Sequence, residues 1–195
     1  MIDLWAVADP MRWRDALERY EHVVSEQGVA RLPELDRWYR ESLPHAIGSR
    51  RPAFIMLPEL VRLTEWKMAR GVWRARNLVL VRGNEPEVVV ERSTDALAKM
   101  PHPTAPIASL ATLQGVGPAT ASAIVAATAP DLYPFLDELV AGQVPGLGGI
   151  AWTLSYYARY AAALRHRAEQ LGRGWTPLMV ERALWAHAGG KAGAA

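Results

Sequence analysis

The 195-residue chain contains no cysteine. That absence excludes disulfides, iron–sulfur clusters and thiolate zinc sites together, and it suits a cytoplasmic protein. No apolar run approaches the roughly eighteen residues needed to cross a bilayer, so no membrane role is expected. The opening Met1-Ile2-Asp3-Leu4-Trp5 has neither a basic leader nor a long apolar block, which argues against a secretory signal. None of the five histidines (His22, His45, His102, His166, His187) stands at metal-ligand spacing from another. No metal or other cofactor is therefore expected from side chains alone, and no internal repeat is visible.

What is present suits a soluble globular protein. Half the residues are hydrophobic, enough for a sizeable core, and the length fits one domain or two small lobes; residues 1–195 are read as a single helical domain. The net charge is only +2, but it is unevenly placed. Between Arg50 and Arg82 eight basic side chains face only Glu59 and Glu65, which gives this stretch +6 and leaves −4 for the rest. Such polarity suits a polyanionic partner; a solvated helix face is the plainer alternative.

Apolar spacing predicts helices almost throughout. Trp13, Ala16, Leu17, Tyr20 and Val24 form a stripe from Pro10 to about Gln27, which Gly28 ends. A second helix is expected from Pro33 to Leu43, ended by Pro44, and a largely buried one from Pro58. Residues 77–91 read locally as a strand hairpin around Gly83-Asn84-Glu85-Pro86. No third strand exists to support such a hairpin, so helices are expected there instead. The longest helix spans Ile150 to Leu171, the last runs from about Pro177 to Ala188, and the Gly190–Gly193 tail is expected to be disordered. The predicted fold class is all-α, with about eight to ten helices.

The most informative stretch is Leu110–Asp137. Ile107, Leu110 and Ala111 on one side, and Ala121, Ile124, Val125 and Thr128 on the other, fit helical periods around Gly115-Val116-Gly117-Pro118. The two glycines permit dihedrals barred to other residues, and Pro118 suits a first helical turn. A glycine turn before a helix leaves free N–H groups at the positive end of the dipole, where a phosphate fits. Leu113–Ala121 resembles the helix-hairpin-helix motif, over residues 105–128; a packing corner that binds nothing is the alternative. Upstream, Trp66, Lys67, Arg70, Trp73 and Arg74 alternate cations with flat rings, a mixture that can hold phosphates and bases. Core packing is the commoner use of tryptophan, and Lys67 and Arg70 could equally extend from a buried helix.

Twenty residues beyond Gly117, Tyr133-Pro134 precedes Asp137. With the hairpin, this resembles the helix-hairpin-helix DNA glycosylase superfamily. The resemblance implies a two-lobed helical architecture, a monomer, and double-stranded DNA gripped at Gly115, Val116, Gly117, Ala119 and Thr120. It also implies a flipped base whose N-glycosidic bond is cleaved with help from a carboxylate, in repair or against modified viral DNA. Hairpins of this family can carry a monovalent cation on their carbonyls. The position of the lysine in bifunctional members is Ala119 here, which implies a monofunctional enzyme without Schiff-base lyase activity from that position. The family's Pro-Val-Asp is one residue longer in this chain, Pro134-Phe135-Leu136-Asp137, and Glu138 follows. Asp137 and Glu138 are thus both candidate catalytic acids, with helix capping as the alternative for each. Two further alternatives are a non-catalytic, sequence-independent DNA-binding protein and a toxin-like or partner-binding helical protein.

Overall fold

The computed structural model describes residues 3–193; Met1-Ile2 and Ala194-Ala195 lie outside it. A 3-10 turn (Leu4–Ala6) precedes α1 (Pro10–Glu18), α2 (Tyr20–Ser25), α3 (Leu32–Arg37), α4 (Leu43–Gly48) and α5 (Leu57–Arg70). These are followed by α6 (Ala75–Arg82), α7 (Pro86–Ala98), α8 (Ala105–Leu110), α9 (Pro118–Thr128) and α10 (Glu138–Ala141). The long α11 (Leu154–Leu171), α12 (Pro177–His187) and a last turn, α13 (Gly190–Gly193), complete the chain. The fold is all-α, with no strand among the described residues. The 77–91 region is helical, as the missing third strand required.

Local chemistry sets the helix starts. Asp9 caps α1 by accepting from the Met11 amide, Thr153 caps α11 through Tyr156, and Thr176 caps α12 through Met179. The Thr153 cap explains why α11 begins at Leu154 rather than Ile150. Pro44 does not end its helix, contrary to expectation. A π-helical stretch, Trp38–Ser42, carries the chain past it, with the Leu43 amide donating to the Trp38 carbonyl. The C-terminal tail is also more ordered than expected. Gln27 ties it down, accepting from the Ala192 amide at 2.9 Å and donating to the Gly189 carbonyl at 3.1 Å.

Helix α9 is the axis of the core. Every residue from Ala119 to Ala127 is buried, which a helix apolar or small on all sides requires. It packs against α4, α5 and α8, while α12 returns from the far end of the chain to lie on α1, α2 and α11. This arrangement brings the N-terminal half, the hairpin and the C-terminal helices around one cavity.

Candidate functional site

The hairpin's two glycines have different tasks. Gly115 has φ +73, and a Cβ there would stand 2.7 Å from the Asn77 carbonyl oxygen and 2.9 Å from both Leu80 and Val81 side-chain atoms. Its lack of a side chain therefore serves the seating of the turn on α6. Buried Asn84 completes that seating: its side chain donates to the Gln114 carbonyl at 3.0 Å and accepts from the Gln114 amide at 2.9 Å. Gly117 has an ordinary extended φ of −96, and a Cβ there would meet nothing within 4 Å. The expectation that both glycines supply unusual dihedrals thus holds for Gly115 alone. At Gly117 the missing side chain leaves open space before α9, whose N-terminus has no side-chain cap.

The acid follows a buried, non-helical segment whose backbone is held by side chains. Tyr157 donates to the Pro134 carbonyl at 3.2 Å, Tyr160 to the Phe135 carbonyl at 2.7 Å, and the Leu136 amide to Ser122 of α9 at 2.9 Å. Burial pushes both phenols up, so they remain protonated donors. Asp137 then caps α10: its Oδ1 accepts from the Leu139 and Val140 amides at 2.9 and 3.4 Å. Its Oδ2 lies 3.8 Å from Arg70 Nε. Capping and a place in the site are therefore combined in one residue, with one oxygen for each. Glu138, the next residue, is exposed.

Helix α5 contributes differently from what its sequence suggests. Trp66 has no exposed surface, stacks on Tyr39 at 3.7 Å between ring centroids, and donates to buried Asp36 at 3.0 Å. It is a core residue and presents no face to a base. Arg70 is buried beneath the cavity, bonded to Glu181 of α12 at 2.5 Å and ringed by Tyr20, Trp66, Phe135 and Trp185. Its guanidinium is an internal counter-ion rather than a free phosphate hand. Burial pulls Arg70 down, but Glu181 and its other anionic neighbours more than offset this, and it stays charged. Burial pushes the Glu181 carboxyl up to about 7, against the pull of Arg70. Arg70 Nε and Glu181 Oε2 make no hydrogen bond among the described residues.

These parts enclose a cavity of about 420 Å³. Of the residues singled out from sequence, Gly117, Ala119, Thr120, Asp137 and Glu138 line it together with Lys67, Arg70 and Arg74. Gly115, Val116, Trp66 and Trp73 do not; Val116 is buried, and Trp73 is 57% exposed on the surface. No family model matches the chain, and no curated protein or solved structure matches it either.

Sequence reasoning missed part of the wall. Phe135 and Trp185 line the cavity from the core, and Trp152, 43% exposed, lines it from the loop before α11. Trp152 carried a local signal, a tryptophan just before a helix-capping threonine, but nothing in the sequence placed it on the same cavity as Lys67 and Arg70 of α5. Glu181 carried none, because an acid on an apolar helix gains meaning only when its partner is known. Among the described residues no group of three or more His, Cys, Asp or Glu could hold a metal ion, and no helix is long and apolar enough to cross a membrane.

Proposed function

We propose that the chain is a monofunctional DNA glycosylase that flips a damaged or modified base out of double-stranded DNA and hydrolyses its N-glycosidic bond. The observation that carries this reading is that the start of the hairpin helix and Asp137 line one cavity, although 20 residues separate Gly117 from the acid. The cavity lies in the size range of small-molecule sites, roughly 300–1,000 Å³. In this reading the two-lobed organisation of a glycosylase corresponds to the α5 and α9 side and the α10 to α12 side of that cavity.

Glycosidic cleavage builds positive charge on the deoxyribose. A fixed carboxylate beside it stabilises that charge and can orient or deprotonate a water. Asp137 Oδ2 suits the task because Oδ1 is held by two amides, so the group has little freedom to reorganise. Glu138, exposed at the rim, is the second candidate acid. The open space at Gly117 and the uncapped α9 N-terminus suit a phosphate of the gripped strand. Ala119 offers no amine, in keeping with hydrolysis rather than Schiff-base chemistry from that position.

The deciding experiment is mass-spectrometric detection of bases released from a panel of damaged and modified duplexes. Wild type is expected to release one free base, and Asp137→Asn, which preserves the cap, to release it at least ~100-fold more slowly with duplex binding retained. The capping bond and the proximity of Arg70 favour a second reading, a non-catalytic DNA-binding protein in which Asp137 is structural. Duplex binding with no base released by wild type selects that reading.

A further inference from the structure

Two groups in the cavity lack the partners that their chemistry calls for. Lys67 lies partly buried on α5 and lines the cavity, and among the described residues nothing accepts a hydrogen bond from its ammonium and no acid lies in ion-pair range. Burial pushes that amine down and nearby Arg74 adds to the effect, while Asp137 only partly opposes it. Asp137 is otherwise engaged, by the α10 amides and by Arg70. An ammonium partly screened from water and lacking a counter-ion attracts an anion more strongly than a fully solvated one, and a bound anion relieves its partial desolvation. Arg74 and Lys191 also line the cavity and have no acid partner among the described residues, and its lining cations exceed its lining carboxylates, Asp137 and Glu138.

The second group is Trp152. It has no aromatic or cationic partner among the described residues, although most other tryptophans of the chain pair with a ring or a guanidinium. A flat, half-exposed indole on a cavity wall is a stacking surface for another planar ring.

We propose that the cavity takes a planar heterocyclic base bearing an anionic substituent, the ring against Trp152 and the anion at Lys67. This names a substrate class for the glycosylase reading and rests on it. A carboxylated pyrimidine has this chemistry: one delocalised ring and one fixed negative charge. The ammonium of Lys67 distinguishes it from the neutral or alkylated ring, since a site built for a charged group is left unpaired when that group is missing.

The test begins with free rings, so that it does not depend on cleavage. Orotate, a pyrimidine carboxylate, and uracil, its uncharged counterpart, are titrated by calorimetry into wild type, Lys67→Met and Trp152→Ala. Circular dichroism confirms that each variant is folded. Wild type is expected to bind orotate at least ~10-fold more tightly than uracil. Lys67→Met should abolish that preference, and Trp152→Ala should weaken both ligands. The second arm uses duplexes with a single 5-carboxycytosine or 5-methylcytosine, from which wild type should release the carboxylated base at least ~10-fold faster.

Equal binding of orotate and uracil, or a preference that survives Lys67→Met, overturns the proposal. So does a loss of affinity for unmodified duplex in Lys67→Met as large as its loss for orotate, which would make Lys67 a contact for backbone phosphate. Release of 5-methylcytosine with no preference for orotate sinks this inference and leaves the glycosylase reading standing. Preference for orotate with no base released from any duplex does the reverse.

Discussion

Two irregular stretches line the same cavity, and they are built in opposite ways. Residues 133–137, which carry the acid, are tied at successive backbone groups by Tyr157, Tyr160 and Ser122, and four of the five residues are buried. Residues 71–74, which carry Arg74, are all exposed, and among the described residues only the Arg74 amide within them finds a side-chain acceptor, Met68 sulfur at 3.3 Å. A group that must meet a developing charge at a fixed distance gains from a backbone that cannot move. A group that meets a mobile polyanion at the surface needs only its charge and its reach. Under the proposed function, the difference assigns geometric precision to the Asp137 side and adaptable electrostatics to the Arg74 side.

The comparison breaks most visibly at the ion pair beneath the clamped wall. Arg70→Met leaves Glu181 buried without its cation and is expected to destabilise the fold by about 3–5 kcal/mol, read by denaturant unfolding. Glu181 also gives this wall a pH signature. Its folded-state value of about 7 lies above the ordinary 4.5, so the folded protein holds this proton more tightly than the unfolded chain. The resulting stabilisation is complete below about 4.5 and is lost as pH rises through about 7. Unfolding of wild type and Glu181→Gln across that window should show wild-type stability falling relative to the variant; parallel curves would remove Glu181 from the account.

Asp137→Asn comes next in size. Excision should drop at least ~100-fold while stability changes little, because the amide oxygen of Asn still caps α10. Tyr160→Phe is expected to cost about 1–3 kcal/mol in unfolding measurements by leaving the Phe135 carbonyl without its donor. It should also slow excision, since the clamp on the acid is loosened. The smallest effects belong to the open side. Trp73→Ala and Gly117→Ala should each change stability by within about 0.5 kcal/mol, as neither position is packed. Under the proposed DNA-binding reading, Gly117→Ala should nevertheless weaken duplex binding in gel-shift titrations, because its methyl would enter the open space before α9. Unchanged affinity would remove the hairpin from the DNA contact.

Much of this layout was legible from residue types and spacing. The all-helical class, the helices over 77–91, the hairpin at 105–128 and the break at Gly115–Pro118 follow from apolar period and glycine or proline chemistry, which act over a few residues. The burial of Trp66 was not legible, because its partners Tyr39 and Asp36 lie about 30 residues upstream. The same holds for the glycines. Both read as turn formers, yet only the position of α6 shows that Gly115 is required by packing and that Gly117 is not.

The sequence by itself determined the all-helical class, the approximate place of most helices, and which chemical groups are available: a carboxylate at Asp137, cations on α5, and a glycine-rich approach to α9. These are local properties, fixed by backbone sterics, capping and periodicity. Only the tertiary structure decided which groups meet. It directed Arg70 inward to Glu181, 111 residues away, left Lys67 without a counter-ion among the described residues, and set Trp152 on the same cavity. Those outcomes depend on the mutual packing of helices, and a side chain's charge or flatness says nothing about its neighbours until that packing is complete.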